Sequence, residues 1–377
     1  MNILDVARAA AVSKQTVSRV INGRYDVADS TRIRVQQVVA ELGFRPNASA
    51  RSLLTGRTSI LGLVVPDITN PFFIDIVRGV QSAAEEKGYH VLLYNTGDSY
   101  DSEAQSVQLL GERRADGIIM CSSRLSDERL TELLHGVARV VLVNRWVEDL
   151  QVPQIGADYT RGVRSSVEYL VNHGHRRIGI ITLETETANS QAKLRGYREA
   201  IAEAGLPVTP NLIARTVSSI SGGFAAAVAL LERSEPPTAI IAYSDATGLG
   251  VLHACHHRGL SVPGDLAVIG FGGSEVAAFA NPSLSTIAVP NYQMGRMAVD
   301  LLLERVDGKG VTAPRIVTEP QLILRGSTGD ADVGDSLFGT GVSLQLRAQR
   351  DCPHECFHGS PISRQSHPLV PGARAVA

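Results

Sequence analysis

Residues 5–22 read DVARAAAVSKQTVSRVIN, and their apolar spacing decides what the N-terminal unit is. Val6, Ala7 and Ala10 fall at i, i+1 and i+4, one face of a short first helix. After a break at Ala11-Val12, Ser13 is a good N-cap, because its hydroxyl can accept from a backbone N–H that has no partner within the helix. The helix it opens turns Val17, Val20 and Ile21 inward and stops at Asn22-Gly23. Its other face exposes Lys14, Gln15, Ser18 and Arg19, side chains of the kind that read base edges. Two short helices joined by a turn of about three residues have helix-turn-helix spacing. A third helix, expected from about Ser30 to Leu42, sets Val35, Val38, Val39 and Leu42 at i, i+3, i+4 and i+7 before Gly43. Three such helices enclose one small core. The same pattern also suits a three-helix cap on an enzyme.

Charge separates this unit from the rest. Residues 1–57 hold nine Lys and Arg against four Asp and Glu, a net +5, while the remainder holds 27 against 34, a net −7. The overall −2 therefore hides a basic head on an acidic body, as expected when only the head meets a polyanion. Phe44-Arg45-Pro46-Asn47 closes the head. Residues 48–54, ASARSLL, favour a helix of about two turns, too short to be stable alone in water. A helix that forms only against a partner is a natural switch. Residues 55–58 then read as a linker.

From residue 59 to about 325, β-branched runs alternate with helical stretches. Strands are predicted at 60–65, 90–95, 117–121, 139–144, 177–182, 239–243 and 266–270. Helices are predicted near 74–87, 101–113, 126–136, 160–172, 190–204, 222–233 and 246–258. Continuous apolar strands separated by helices imply parallel sheets covered on both faces, and this many units fit two α/β lobes better than one. Ligands of such folds bind beyond the strand C-terminal ends, which between two lobes becomes a cleft that can close.

At 377 residues, 44% hydrophobic and 20% charged, the chain has the composition of a soluble globular protein with two or three domains. No apolar run reaches the roughly 18 residues of a membrane span, and Asp5 and Arg8 interrupt the position of a secretory signal, so a cytoplasmic protein with no membrane partner is expected. Cys121, Cys255, Cys352 and Cys356 are too scattered for a disulfide framework. Residues 327–377 are rich in Gly, Ser, Pro, Arg and His without period, and are expected to be disordered. Within them Cys352, His354, Cys356 and His358 have metal-ligand types, but no second half of a tetrahedral site follows, so no metal and no cofactor is predicted.

Residues 5–73, DVARAAAVSKQTVSRVINGRYDVADSTRIRVQQVVAELGFRPNASARSLLTGRTSILGLVVPDITNPFF, closely resemble the opening of LacI-family bacterial transcription regulators. The resemblance continues through GHRRIGII at 174–181, LSVPGDLAVIGF at 260–271 and PSLSTI at 282–287, to about Gly326. It implies a multidomain protein: an all-α helix-turn-helix head over 1–46, a hinge helix and linker over 47–58, and an α/β periplasmic-binding-protein-like body over 59–326. It also implies a homodimer on a palindromic double-stranded DNA operator, controlled by a small molecule in the interlobe cleft. On this pattern Lys14, Gln15 and Arg19 read bases, while Ser13, Thr16, Ser18, Asn22 and Thr31 bind phosphates and set register. In the hinge, Asn47 and Ala50 face DNA, and Leu53 matches the apolar wedge that kinks a central base step.

The cleft departs from the family pattern. The usual Arg is Lys193, the usual Asn-Asp pair is Ser244-Asp245, and the usual acidic pair is Gly272-Gly273, which removes two strong acceptors for sugar hydroxyls. Ala11 stands where the family commonly has Gly, at a cost of about 1–2 kcal/mol if its backbone is left-handed. The expected effector wall is Asp67, Thr69, Asn70, Phe72 and Phe73 with Asn144, Arg145 and Asp158. Opposite stand Lys193, Phe224, Tyr243, Ser244, Asp245, Phe271 and Gly272. Asp158 and Asp245 equally suit helix caps. A sugar or sugar derivative is the expected effector class, and Lys193 is compatible with a carboxylated or phosphorylated one.

An enzyme is not predicted: no G-x-x-x-x-G-K-[ST], G-x-S-x-G or G-x-G-x-x-G occurs. His173-Gly-His175 reads as a helix C-cap, and Cys255-His256-His257 places adjacent side chains on different helix faces. The competing readings are a solute-binding protein of a transport system, which would lack the basic head, and a ligand-responsive activator, which would use the same parts as a repressor.

Overall fold

The computed structural model describes residues 2–21, 26–44, 56–112, 115–137, 139–309, 313–329 and 347–348. The head consists of α1 (Ile3–Ala9), α2 (Lys14–Ile21) and α3 (Asp29–Glu41). Asn2 and Asp5 form a capping box on α1, and the Ser13 hydroxyl accepts from the Thr16 N–H at 3.1 Å to open α2. Val6, Val17, Val20 and Val35 meet in a buried cluster, the core that the apolar spacing predicts. Ala11 has φ +52°, so the turn places an L side chain in the left-handed region.

The first lobe alternates β1 (Ile60–Val65), α4 (Pro71–Glu86), β2 (His90–Asn95), α5 (Tyr100–Glu112), β3 (Gly117–Cys121), α6 (Asp127–Leu134), β4 (Val140–Val143) and β5 (Gln154–Ala157). The second lobe holds α7 (Tyr159–Asn172), β6 (Ile178–Leu183), α8 (Ala188–Glu203), β7 (Ile213–Thr216) and α9 (Ile220–Leu231). It continues with β8 (Ala239–Ile241), α10 (Asp245–His257), β9 (Ala267–Gly272), α11 (Glu275–Ala278) and β10 (Ser285–Ala288). The chain then returns through α12 (Asn291–Val306) to β11 (Arg315–Thr318) in the first lobe, crosses to β12 (Gln321–Ile323) in the second, and pairs β13 (Arg347–Ala348) with β11. The sheets run β13-β11-β5-β4-β3-β1-β2 and β12-β10-β9-β8-β6-β7, parallel except at β13 and β12. The lobes are thus stitched by crossings after β5, β10 and β11, with β13 lying back on the first lobe's sheet, which permits relative rotation without independent domains.

Two features escape the sequence pattern. The 90–95 run forms an edge strand rather than a buried one, and leaves Leu92 and Leu93 exposed. α12 was not predicted at all, although Met294, Ala298, Val299 and Leu302 are buried along one face of it against the first lobe. It crosses α4 at Gly79 and Gly295, where a Cβ would strike the Tyr292 and Ile76 carbonyls. In the second lobe, Gly223 of α9 and Gly250 of α10 make the equivalent crossing, and a Cβ would meet the Thr247 and Ile220 carbonyls. Of the tail expected to be disordered over 327–377, residues 327–329 are instead ordered, with Ser327 buried and its hydroxyl donating to the Val268 carbonyl at 2.6 Å; beyond them only Arg347–Ala348 lie within the described residues, in a strand.

Candidate functional site

In the head, Lys14, Gln15 and Arg19 are exposed along α2, while Thr16 and Ser18 lie half-buried at its flanks and Thr31 at the start of α3. The face that carries the expected base readers is therefore open to solvent. Arg19 lies 3.5 Å from Asp26, an ion pair with both side chains more than half exposed, so it contributes little to stability and leaves the guanidinium accessible. Ser13 and Thr16 bond each other at 2.9 Å. The expected contacts Asn22, Asn47, Ala50 and Leu53 lie outside the described residues.

In the body, the C-terminal ends of the strands from both lobes face one cleft, and helices begin there. Asn70 is the N-cap of α4 and Ser244 the N-cap of α10; each side chain accepts from its own helix, Asn70 from the Phe72 N–H and Ser244 from the Thr247 N–H. Both line a central cavity of about 30 Å³, the space of about one water. Phe72 and Phe73 form part of the same wall, edge to face with ring centroids 5.3 Å apart. Across from them Lys193 is 6% exposed. Its Nζ donates to the Tyr243 carbonyl at 2.8 Å and lies 3.5 Å from the Phe271 ring centroid and 4.1 Å from that of Tyr243. Burial among these rings drives the amine well below the ordinary lysine pKa, and Asp245 acts in the opposite sense.

The lobes touch directly here. The Asn70 amide donates to Ser218 Oγ at 3.3 Å, and the Asn189 amide donates to the Asn144 carbonyl at 2.9 Å. Arg124, from the loop after β3, bonds Asp98 at 2.8 Å and also reaches the Tyr243 phenol. Burial raises that phenol's pKa, with Arg124 pulling the other way. Ser122, Arg124 and Asn189 are shared between the central cavity and an outer pocket of about 500 Å³ that includes Tyr100, Trp146 and Glu186. Asn144 and Arg145 belong to the outer pocket. Asn144 is 1% exposed, with φ +57°, and its Oδ1 accepts from the Tyr159 hydroxyl at 2.7 Å. Its Nδ2 is buried without an acceptor. Arg145 is clamped to Asp127 at 2.6 Å.

The structure thus gathers Asn70, Phe72, Phe73, Lys193 and Ser244 in the central cavity and sets Asn144 and Arg145 beside it. Asp67, Thr69 and Phe224 line a separate depression, and Asp67 is held in a turn by Thr69. The two acids left open between ligand wall and helix cap both make scaffold bonds. Asp158 caps α7 by accepting from the Arg161 N–H. Asp245 is 2% exposed, and its carboxylate accepts from the Ser274 N–H and Oγ, each at 2.7 Å, and from Thr286 Oγ1 at 2.5 Å. Gly272 has φ +134° and faces Asp245 and Phe72. Ser122, Arg124, Tyr159, Asn189 and Ser218 were not anticipated. The rule that ligands meet strand C-terminal ends singles out Ser122 and Arg124, which follow 117–121 directly; the others are set by how the lobes meet.

Comparison with known proteins agrees with this architecture. Residues 2–47 match the family model for bacterial regulatory proteins of the lacI family, and residues 167–328 match that for a periplasmic binding protein-like domain. Catabolite control protein A of Priestia megaterium is 35% identical over 330 residues, covering 87% of this chain and 99% of that protein. The transcriptional repressor CytR of Escherichia coli K12 is 34% identical over 324 residues, covering 86% and 95%. Among solved structures, the lac repressor dimer bound to operator and the anti-inducer ONPF superposes with TM-score 0.79 at 25% identity over 87% of this chain and 99% of that one. The transcriptional regulator CelR–cellobiose complex gives TM-score 0.66 at 33% identity over the same shares. These relatives are regulators rather than enzymes, and the chain belongs to the LacI family of bacterial transcriptional regulators.

Proposed function

We propose that this chain is a homodimeric repressor that binds a palindromic operator and is controlled by a small molecule in the interlobe cleft. The observation that carries the reading is one chain holding two parts: a basic head with Lys14, Gln15 and Arg19 exposed on its second helix, and a body whose lobes meet through single side-chain bonds at Asn70, Arg124 and Asn189. Bonds of that kind exchange readily for bonds to a ligand, so occupancy changes the lobe positions and through them the spacing of the two hinges. Dimerisation is supported by exposed apolar side chains on both lobes, with Ile74, Leu92 and Leu93 on the first and Val217, Ile220 and Phe279 on the second. It is supported further by the similarity to a repressor solved as a dimer on operator.

Operator footprinting tests the reading: two symmetric half-sites become protected, and an absence of sequence-specific protection with and without ligand refutes it. Leu53→Ala is expected to weaken operator binding in a gel-shift titration while effector binding persists, and unchanged operator affinity sinks the wedge assignment.

A further inference from the structure

The central cavity has a consistent electrostatic sign. Its wall includes two cationic side chains, Lys193 and Arg124, and no carboxylate. Lys193 is nine-tenths buried, and among the described residues it forms no ion pair, whereas Arg124 is satisfied by Asp98 on its outer side. Asp245 favours the ammonium from beyond ion-pair distance, and it and the surrounding ring faces offset only part of the cost of burying that charge. Helix ends add to the field. α4, α8 and α9 all begin at the cleft, and none carries an acidic residue in its first turn, where acids are normally favoured. α10 begins there too, but its first turn carries Asp245, whose charge opposes the helix end while its oxygens bond Ser274 and Thr286. The positive ends of α4, α8 and α9 therefore face the cleft with no first-turn carboxylate against them. The outer pocket differs: Asp127 and Glu186 stand in it, paired with Arg145 and Arg215, beside the Asn144 Nδ2, which has no acceptor among the described residues.

Taking the cleft as the effector site, as read above, we propose that the effector is an anion. Its negative group seats between Lys193 and Arg124, and its hydroxyl-bearing body lies in the outer pocket against Asn144 and Trp146. Lys193 replaces a bidentate arginine with a compact charge, which suits a phosphate or carboxylate oxygen better than a pair of ring hydroxyls. Entry requires the lobes to part, since the central cavity is too small for such a group while they are closed.

The test uses the full chain, with calorimetric titration and thermal shift at constant ionic strength. Matched ligands are glucose, glucose 6-phosphate and gluconate; ribose and ribose 5-phosphate; and inorganic phosphate alone. An anionic member binding about tenfold or more tighter than its neutral parent supports the proposal, and the phosphate and carboxylate arms identify the group. In that case Lys193→Met lowers affinity for the anion about tenfold or more, while Lys193→Arg largely retains it and both variants keep the melting profile of a folded protein. A neutral parent binding as tightly as its anion, or Lys193→Met binding the anion unchanged, overturns the proposal. If that neutral ligand is lost in Phe72→Ala, the cleft remains the effector site and only the charge assignment fails. No response to any anionic member also overturns it.

Discussion

Replacing Asp245 separates a scaffold carboxylate from a ligand-binding one. Its two oxygens take three donors, at 2.7, 2.7 and 2.5 Å, and the group is 2% exposed. Asp245→Ala strands the Ser274 backbone N–H, which cannot rotate to another acceptor, and two hydroxyls that partly can. Hydrogen bonds to a buried charge are worth about 1.5–3 kcal/mol each, but removing the carboxylate also refunds its desolvation, so a net loss of about 2–4 kcal/mol is expected. For a body of this size, at about 2 °C per kcal/mol, that lowers the melting temperature by roughly 4–8 °C. Asp245→Asn is a sharper comparison. With its carbonyl in place of Oδ2, it still accepts both Ser274 bonds, and its NH₂ in place of Oδ1 donates to Thr286 Oγ1, which already accepts from the Gly273 N–H at 3.2 Å. Its cost is therefore only about 1 kcal/mol. Thermal denaturation followed by circular dichroism, without ligand, reads both. An Asp245→Ala protein that melts within about 2 °C of the parent, or one that melts normally yet loses its ligand response, refutes the scaffold role.

Other substitutions probe the same physics elsewhere. Ala11→Gly relieves the left-handed backbone at φ +52° and is expected to stabilise the head by about 0.5–1 kcal/mol, seen as greater hydrogen-exchange protection of the Val6 and Val17 amides. Gly250→Ala drives a Cβ against the Ile220 carbonyl at a helix crossing and should cost about 3 kcal/mol. Gly111→Ala, in open space on α5, should instead raise the melting temperature, since alanine is the better helix former by about 1 kcal/mol. Lys193→Met is expected to melt higher than the parent at neutral pH. Because the folded-state pKa of Lys193 is depressed, the unfolded chain holds more protons between that value and 10.5, so parent stability rises with pH across this window and the advantage of Met shrinks. Burial keeps Tyr159 and Tyr243 above their ordinary value of 10.0, so they do not mask the effect below it. A constant difference from pH 7 to pH 10 contradicts the assignment.

Periodic segments were readable because burial imposes the period. The strands at 60–65, 90–95 and 117–121 fall on the predicted residues, and the head helices carry their valines on the predicted faces. The short strands β7 (IART), β10 (STIA) and β11 (RIVT) were not read, since each mixes polar with apolar residues over only four positions, whereas β4 (VVLV), of the same length, is apolar throughout and was. α12 carried an apolar stripe that sequence reasoning could have used. In the cleft, Phe72, Phe73 and Lys193 came from family position and Arg124 follows a predicted strand end, whereas Asn189 and Ser218 join them only because strands from both lobes end at one crevice.

The sequence by itself determined the kind of protein this is: a basic helix-turn-helix head on an α/β body. Those properties follow from local spacing, capping residues and charge content, which survive without coordinates. Only the tertiary structure decided which polar groups remain available. Whether an aspartate reads a ligand or braces a strand depends on which donors the fold brings within 3 Å, and Asp245 is consumed by residues 29 and 41 positions away. The same packing buries Lys193 beside Arg124 in a cavity wall that holds no carboxylate, and that arrangement underlies the proposal of an anionic effector.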